Sequence, residues 1–437
     1  MAQSNHPRRR VLVLAYYFPP MGSSGVQRTG KFVKYLQRYG WQPTVLTVEP
    51  YGYIAKDESL LAELTPLDIC IARTPPAGPS RLLSRREIVR LPAERTRRVL
   101  SMLSDTVFIP DNKIGWRRRA VEMAARLHAE TPFDLIFATA PPFTSFLIGR
   151  DLRARLKKPL VLDYRDPWLE YPFKFYPTPL HRWAHATLER RCLRASGHVV
   201  TTNRRVKELI LTRHRFLTYH EISIIPQGYD EEDFERVKFE EQAAEGARKK
   251  SAGSKRIRIT YAGIFMEDRV PDHFLQALHD LYAESPKLRG RFECVFVGTV
   301  RPEHQRLVER LGLQDSVTMT GYLPHRECVR ELLRSDVLWM VVGDDVGSPG
   351  KTYEYIGARK PILALAPDGF IKQAVLEAGG VVVPPTDVPA IARALAEFHE
   401  KFEHHQLSGP SEEVVCKYSR ERLTGDLVKV FESLIEP

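Results

Sequence analysis

The run Ser348-Pro349-Gly350-Lys351-Thr352-Tyr353-Glu354-Tyr355 sets a cation and a carboxylate three residues apart, directly after an apolar stretch. Val337 to Val342 has the length and uniform apolarity of a buried strand, and Gly343-Asp344-Asp345 ends it in a loop. Pro349 and Gly350 suit the entry to a short helix beginning near Lys351, whose first amides lack intrahelical partners and therefore favour an anion. Lys351 adds a mobile point charge suited to phosphate. Glu354 lies on the same helical face and can accept hydrogen bonds from two vicinal hydroxyls. A diphosphate joined to a ribose satisfies both groups at once. The competing reading is a solvated ion pair on a helix surface.

The elements that must hold these residues alternate between short apolar runs and helix-period segments, a pattern that predicts parallel sheets with right-handed crossovers. Strands are expected at 11–15, 43–47, 135–138, 160–163, 198–201 and 222–225, and then at 257–261, 292–297, 317–319, 337–342, 361–365 and 381–383. Phe274, Leu275, Leu278, Leu281 and Tyr282, and later Ile391, Leu395, Phe398 and Phe402, keep the spacing of a single buried helix face. Both halves therefore read as α/β, doubly wound and Rossmann-like. Residues 231–256 are charged and poor in apolar side chains, which predicts a linker or surface excursion between domains at 1–230 and 257–408. Residues 409–437 contain a last amphipathic helix, with Leu423, Leu427, Val430, Phe431 and Leu434 on one face, expected to pack back on the first domain.

Composition limits the function. A chain of 437 residues, 43% hydrophobic and 27% charged, can build two or three cores and is not disordered. Its five cysteines are widely spaced, with no pairing of the zinc or disulfide kind, and read as reduced thiols. The run Val11 to Ala15 after Arg8-Arg9-Arg10 is too short for a signal peptide, and no run is long enough to cross a bilayer. A cytoplasmic protein is expected. The net charge of +11 is concentrated between Arg81 and Arg119, where Arg81, Arg85, Arg86, Arg90, Arg95, Arg97 and Arg98 alternate with Leu82, Leu83, Ile88, Val89, Leu91, Val99, Leu100, Met102 and Leu103. That mixture suits an anionic membrane surface, or equally a solvated helix face. Nucleic acid is not expected as a partner, because few aromatics and no nucleic-acid motif accompany the charge.

These residues resemble the family 4 glycosyltransferases of the two-domain GT-B fold, in a branch typical of bacterial polysaccharide assembly. The resemblance runs from Tyr16-Tyr17-Phe18-Pro19-Pro20 with Gly22, Gly25 and Arg28, through Asp163-Tyr164-Arg165-Asp166-Pro167-Trp168 and Ile225-Pro226-Gln227-Gly228-Tyr229-Asp230. It continues with Tyr261-Ala262-Gly263, Gly321-Tyr322-Leu323, Pro349 to Tyr355, and Lys360-Pro361-Ile362-Leu363-Ala364. Single motifs are weak, but their order and spacing are specific.

The resemblance implies two domains facing across a cleft, with the acceptor held by the first and a sugar nucleotide by the second. It implies that Glu354 binds the donor ribose, that Lys351 and Arg269 steady the leaving diphosphate, and that Ser348, Gly350 and Gly263 line the donor site. Gly22 and Gly25 then belong to a loop where backbone nears the donor phosphates, or they simply form the turn that starts the first helix. Arg28 and Arg165 are expected on the acceptor side or as loop-shaping residues; Asp166 touches donor or acceptor, or pairs with Arg165. Many relatives carry a second glutamate eight residues before the ribose glutamate, where this chain has Val346, with Asp344 and Asp345 close by.

The implied reaction moves a sugar from a UDP- or GDP-sugar to a lipid-linked or polysaccharide acceptor, with retention of anomeric configuration and no obligatory metal or other cofactor. A peripheral position on the inner face of the cell membrane would follow if the basic segment binds lipid. Alternatives of the same shape are a sugar-nucleotide epimerase and an inactive sugar-nucleotide-binding module. A P-loop NTPase is a weaker alternative, since Asp345 replaces the first glycine of the phosphate loop that Gly350-Lys351-Thr352 would end. His181 and His185 have zinc-helix spacing, but residue 182 is arginine, and no metal site is expected there.

Overall fold

In the computed structural model of the chain, Val337–Val341 is buried at every position, as a strand covered on both faces must be. The structure describes residues 9–22, 24–51, 56–76, 94–171, 174–245, 256–265 and 269–435. They divide into two compact units, one made of Met1–Pro226 with Leu423–Pro437, the other of Gln227–Arg422.

The first unit holds a seven-stranded parallel sheet of order β3-β2-β1-β4-β5-β6-β7. Its strands are β1 Arg9–Leu14, β2 Trp41–Val48, β3 Cys70–Thr74, β4 Leu135–Ala140, β5 Leu160–Tyr164, β6 His198–Thr201 and β7 Ile222–Ile224. Val11 sits beside Pro43 on one side and Leu135 on the other. The sequence pattern missed β3, because this edge strand is half-exposed along most of its length and so carries little apolar signal. Leu423, Leu427 and Phe431 complete the core of this unit, with the Phe431 ring centroid 5.1 Å from that of Trp41 and 5.6 Å from that of Phe137.

The second unit holds a six-stranded parallel sheet of order β10-β9-β8-β11-β12-β13. Its strands are β8 Ile257–Ala262, β9 Phe292–Val297, β10 Val317–Gly321, β11 Val337–Val341, β12 Ile362–Leu365 and β13 Val381–Val383. Alternate side chains of β8 and β11 feed two cores, Ile257, Ile259, Tyr261, Val337 and Trp339 into one, Leu338 and Met340 into the other. Trp339 stacks on Phe274 at 4.0 Å.

The stretch expected to be a linker forms a helix over Glu231–Glu245 that belongs to the second unit. Phe234 and Val237 bury its inner face, and its acidic residues pair with the helix His325–Leu333 through Arg326 to Glu240, Arg330 to Glu240 at 3.2 Å, and Arg334 to Glu241 at 2.8 Å. Two apolar anchors plus three arginines are too sparse a pattern to be read as a helix from composition. Residues 246–255 lie outside the described residues, as does most of the apolar-basic run beginning at Arg81.

Candidate functional site

In an open parallel sheet a ligand sits beyond the carboxyl ends of the strands, where the strand order reverses. In the second unit that point lies between β8 and β11. Gly263 and Arg269 follow the one strand and Ser348, Gly350 and Lys351 follow the other, so five of the residues singled out above meet at one place in the topology.

The helix Gly350–Gly357 is held there by its aromatic residues. Tyr355 is fully buried; its hydroxyl accepts from the Ala262 amide at 2.8 Å and donates to the Trp339 carbonyl at 3.1 Å, tying the helix to both strands that flank the reversal. Tyr353 is equally buried and shares a hydrogen bond of 3.1 Å with Ser348. With Thr352, Tyr353, Tyr355 and Ile356 turned inward, Lys351 and Glu354 are left as the half-buried face. Pro349 precedes the first turn and no side chain caps it.

Lys351 Nζ donates to the Tyr261 hydroxyl at 2.7 Å and lies 3.9 Å from the centre of that ring. Gly263 flanks the ammonium: its φ of 149° disfavours a side chain, and a Cβ there would come within 3.0 Å of Nζ. Burial pushes the Lys351 pKa well below the ordinary lysine range, and the Arg269 charge pushes it further, against the opposing pull of Glu354. A lysine at a helix start, with an arginine near enough to disfavour its charge, makes a place where a polyanion restores that charge. The Glu354 carboxylate accepts from His325 Nε2 at 3.0 Å. Asp344 accepts from the amides of Val346 and Gly347 and so shapes the loop that carries Val346.

A titration consequence follows. A bound diphosphate raises the Lys351 pKa again, so the complex holds more protons than the free protein. Binding of UDP or GDP at about pH 8, two units above the second phosphate pKa near 6, is therefore expected to take up protons. Affinity should fall as pH rises further. Calorimetry in two buffers of unequal ionisation heat measures the uptake, and Lys351→Met should abolish it.

In the first unit the reversal lies between β1 and β4. Arg165 is 7% exposed and donates to the carbonyls of Gly25 at 2.7 Å, Ala140 at 3.3 Å and Pro141. What requires a bare residue 25 is this guanidinium, since a Cβ would lie 2.3 Å from Arg165 Nη1. Gly22 lies in the coil before the helix Ser24–Leu36. Arg28 is fully buried on that helix, bonded to both oxygens of Asp163 at 2.8 and 3.3 Å and to the Pro226 carbonyl at 2.6 Å; it shapes the interior and meets no open surface. Asp166 is half-buried beside Arg165 and contributes to its electrostatics.

Sequence reasoning missed a second group at this end of the sheet. Lys113 Nζ lies 5.2 Å from the centre of the Tyr16 ring, and Tyr16 shares a short hydroxyl contact with Tyr51. Burial lowers the Lys113 pKa, but Tyr17, Tyr51 and Asp111 more than offset it, so the ammonium is held in its charged form. Residues 17, 51 and 113 are too far apart in the chain to show a pattern.

Known proteins share this fold. Residues 25–228 match the family model described as a glycosyl transferase 4-like domain, and residues 244–408 match that of the glycosyl transferases group 1. Alpha-D-kanosaminyltransferase of Streptomyces kanamyceticus is 25% identical over 295 residues, 64% of this chain and 69% of that protein. The sucrose-phosphate synthase structure from Thermosynechococcus elongatus shares the fold with a TM-score of 0.64 at 16% identity, covering 98% of this chain and 99% of that one. The Anabaena HepE structure in complex with UDP-glucose has a TM-score of 0.62 at 13% identity, covering 97% and 100%. The two Rossmann-like parallel sheets are those of a GT-B enzyme. The chain belongs to the family 4-type glycosyltransferases, which use a nucleotide-sugar donor.

Proposed function

We propose that this glycosyltransferase moves a sugar from a UDP- or GDP-sugar to a lipid-linked or polysaccharide acceptor, with retention of configuration and without an obligatory metal. The observation that carries the reading is Lys351 at the start of the helix, its ammonium 2.7 Å from the Tyr261 hydroxyl, with Glu354 presented one turn on. As the anomeric carbon to phosphate bond breaks, its electron pair passes to the diphosphate. Lys351, Arg269 and the Gly350 and Lys351 amides receive that charge without reorganising. Glu354 takes the ribose hydroxyls, and Gly263 and Ser348 leave room along the phosphates. The acceptor oxygen bonds to the anomeric carbon from the departing side and passes its proton to the departing diphosphate oxygen. Asp166, together with the loop that Gly22, Gly25, Arg28 and Arg165 shape, orients the acceptor. The charged Lys113 among tyrosines supports an acceptor that is itself anionic.

The test is transfer of labelled sugar from UDP- and GDP-sugars to lipid-linked and glycan acceptors. Conversion of the donor alone, without acceptor, would instead assign an epimerase. Donor binding with no turnover across all acceptors would assign an inactive binding module, and nucleotide hydrolysis without any sugar an NTPase.

The membrane part of the reading rests on a surface of the first unit. Val99, Leu100, Leu103 and Val107 of the helix Glu94–Val107 are all more than half exposed, as are Leu180 and Trp183 of the helix Pro179–Ala195. Asp105 ties the first helix to the segment leading into the second, accepting from Lys174 Nζ at 2.6 Å and the Phe175 amide at 3.1 Å, and His181 Nε2 of the second lies 3.2 Å from the Thr106 carbonyl of the first. Exposed Arg98, Arg182, Arg190 and Arg191 accompany these apolar side chains, which suits an anionic bilayer. Of the Arg117-Arg118-Arg119 run, by contrast, Arg117 pairs with Asp151, Arg118 with Glu122, and Arg119 with the Pro75 and Pro76 carbonyls. No helix among the described residues is long and apolar enough to cross a membrane. Flotation with vesicles containing phosphatidylglycerol should therefore capture the protein, and Leu103→Asp with Trp183→Ala should lose that capture by about tenfold, the loss of a few buried apolar contacts. Equal capture by neutral vesicles, or no effect of the substitutions, would remove the membrane from the reading.

A further inference from the structure

Three helices of the second unit converge on the Glu354 carboxylate through one histidine. His325, the first residue of the helix His325–Leu333, sets Nε2 3.0 Å from Glu354 Oε1, while its Nδ1 lies 3.7 Å from Asp233 Oδ2 on the helix Glu231–Glu245. The three side chains are 10%, 15% and 7% exposed, so the line is largely screened from solvent. An ionised carboxylate only accepts, so the Glu354 contact places a proton on His325 Nε2. One of the lone-pair positions of Glu354 is thereby committed, which fixes the plane of the carboxylate.

The arrangement is not a chance contact of a mobile ring. The pairs Arg326 to Glu240, Arg330 to Glu240 and Arg334 to Glu241 fasten the histidine's helix along that of Asp233, and Asp230 receives the Glu232 amide at 3.1 Å at the head of the latter. Glu354 has its own anchor in the buried Tyr353 and Tyr355 on either side. Both ends are fixed, and the imidazole spans them.

We infer that His325, carried on a helix fastened to that of Asp233, is a positioning residue that fixes the Glu354 carboxylate for a vicinal diol and so sets the preference for ribonucleotide over 2′-deoxyribonucleotide donors. This rests on the reading of Glu354 as the ribose ligand. A free glutamate on a helix surface samples several rotamers, and each must be surrendered on binding. One already held by a hydrogen bond gives up less, and the gain applies only to ligands with both hydroxyls.

The experiment compares His325→Leu, which keeps bulk without a donor, with His325→Gln, which returns an N–H near the Nε2 position. Calorimetry measures UDP and dUDP, and GDP and dGDP, on the wild-type chain and both variants. The wild-type chain is expected to bind the ribonucleotide about tenfold more tightly than its 2′-deoxy counterpart, the worth of one good hydrogen bond to a charged group. His325→Leu should reduce that ratio to about twofold by weakening only the ribonucleotide, and His325→Gln should restore most of it. If leucine and glutamine behave alike, or the ratio survives both, His325 serves packing alone and the inference falls. If the wild-type chain shows no ratio at all, the ribose assignment of Glu354 fails first and takes the inference with it.

Discussion

Lys351→Met is expected to lower kcat by about a hundredfold or more, the cost typical of removing one preorganised donor from a developing anion. The methylene stem of methionine still covers Tyr261, so the packing beneath the helix start survives. Removing a charge that burial and Arg269 already disfavour should leave the melting temperature unchanged or raise it. Stability and turnover thus move in opposite directions, which separates a chemical role from a structural one. Glu354→Ala should instead raise KM for the donor with a smaller change in kcat, since ribose contacts exist in ground and transition states alike. Steady-state kinetics alongside thermal melts of both variants provide the check, and near-normal rates in both would refute the assignment of this site.

Arg28→Met is expected to destabilise the protein by about 3–5 kcal/mol, the range for stranding one partner of a buried ion pair. Both side chains of the Arg28–Asp163 pair are 0% exposed, and Thr139 Oγ1 adds a third bond to the carboxylate at 2.8 Å. Without the guanidinium, Asp163 keeps that hydroxyl but loses its counter-charge, and the Pro226 carbonyl loses its donor. Replacing both members, Arg28→Met with Asp163→Leu, should recover a large part of the loss, because two apolar residues strand no charge. Denaturant midpoints of the wild-type, single and double variants measure the coupling. A single variant as stable as the wild type would show that the pair contributes nothing net.

The sheets were legible in the sequence where burial is symmetrical. Strand β11 is apolar at each position because helices cover both its faces, and β9 was placed at its true ends for the same reason, whereas the edge strand β13 was found through its three consecutive valines. Strand β3 was not, since an edge strand needs few apolar residues. Lys351 and Glu354 could be picked out as candidates because they are close in the chain: a helix start, a lysine and a carboxylate fall within a single turn. Arg28 was harder, because a lone arginine on a helix is ordinarily solvated and only the distant Asp163 reveals that it is interior. His325 and Asp233 lie far from Glu354 in the chain, and no local spacing records that their helices converge. Helix Glu231–Glu245 hides for a related reason, since its acids look like a solvated run until the arginines of the helix His325–Leu333 are set beside them.

The first unit recruits Leu423, Leu427 and Phe431 from beyond the second unit. On a ribosome, residues 227–422 have all emerged before the earlier-made sheet receives its closing helix. The half synthesised first must wait with an uncovered apolar face while the later half has everything it needs. A stop codon or proteolytic cut ahead of Leu423 would therefore injure the amino-terminal fold rather than the region next to the break.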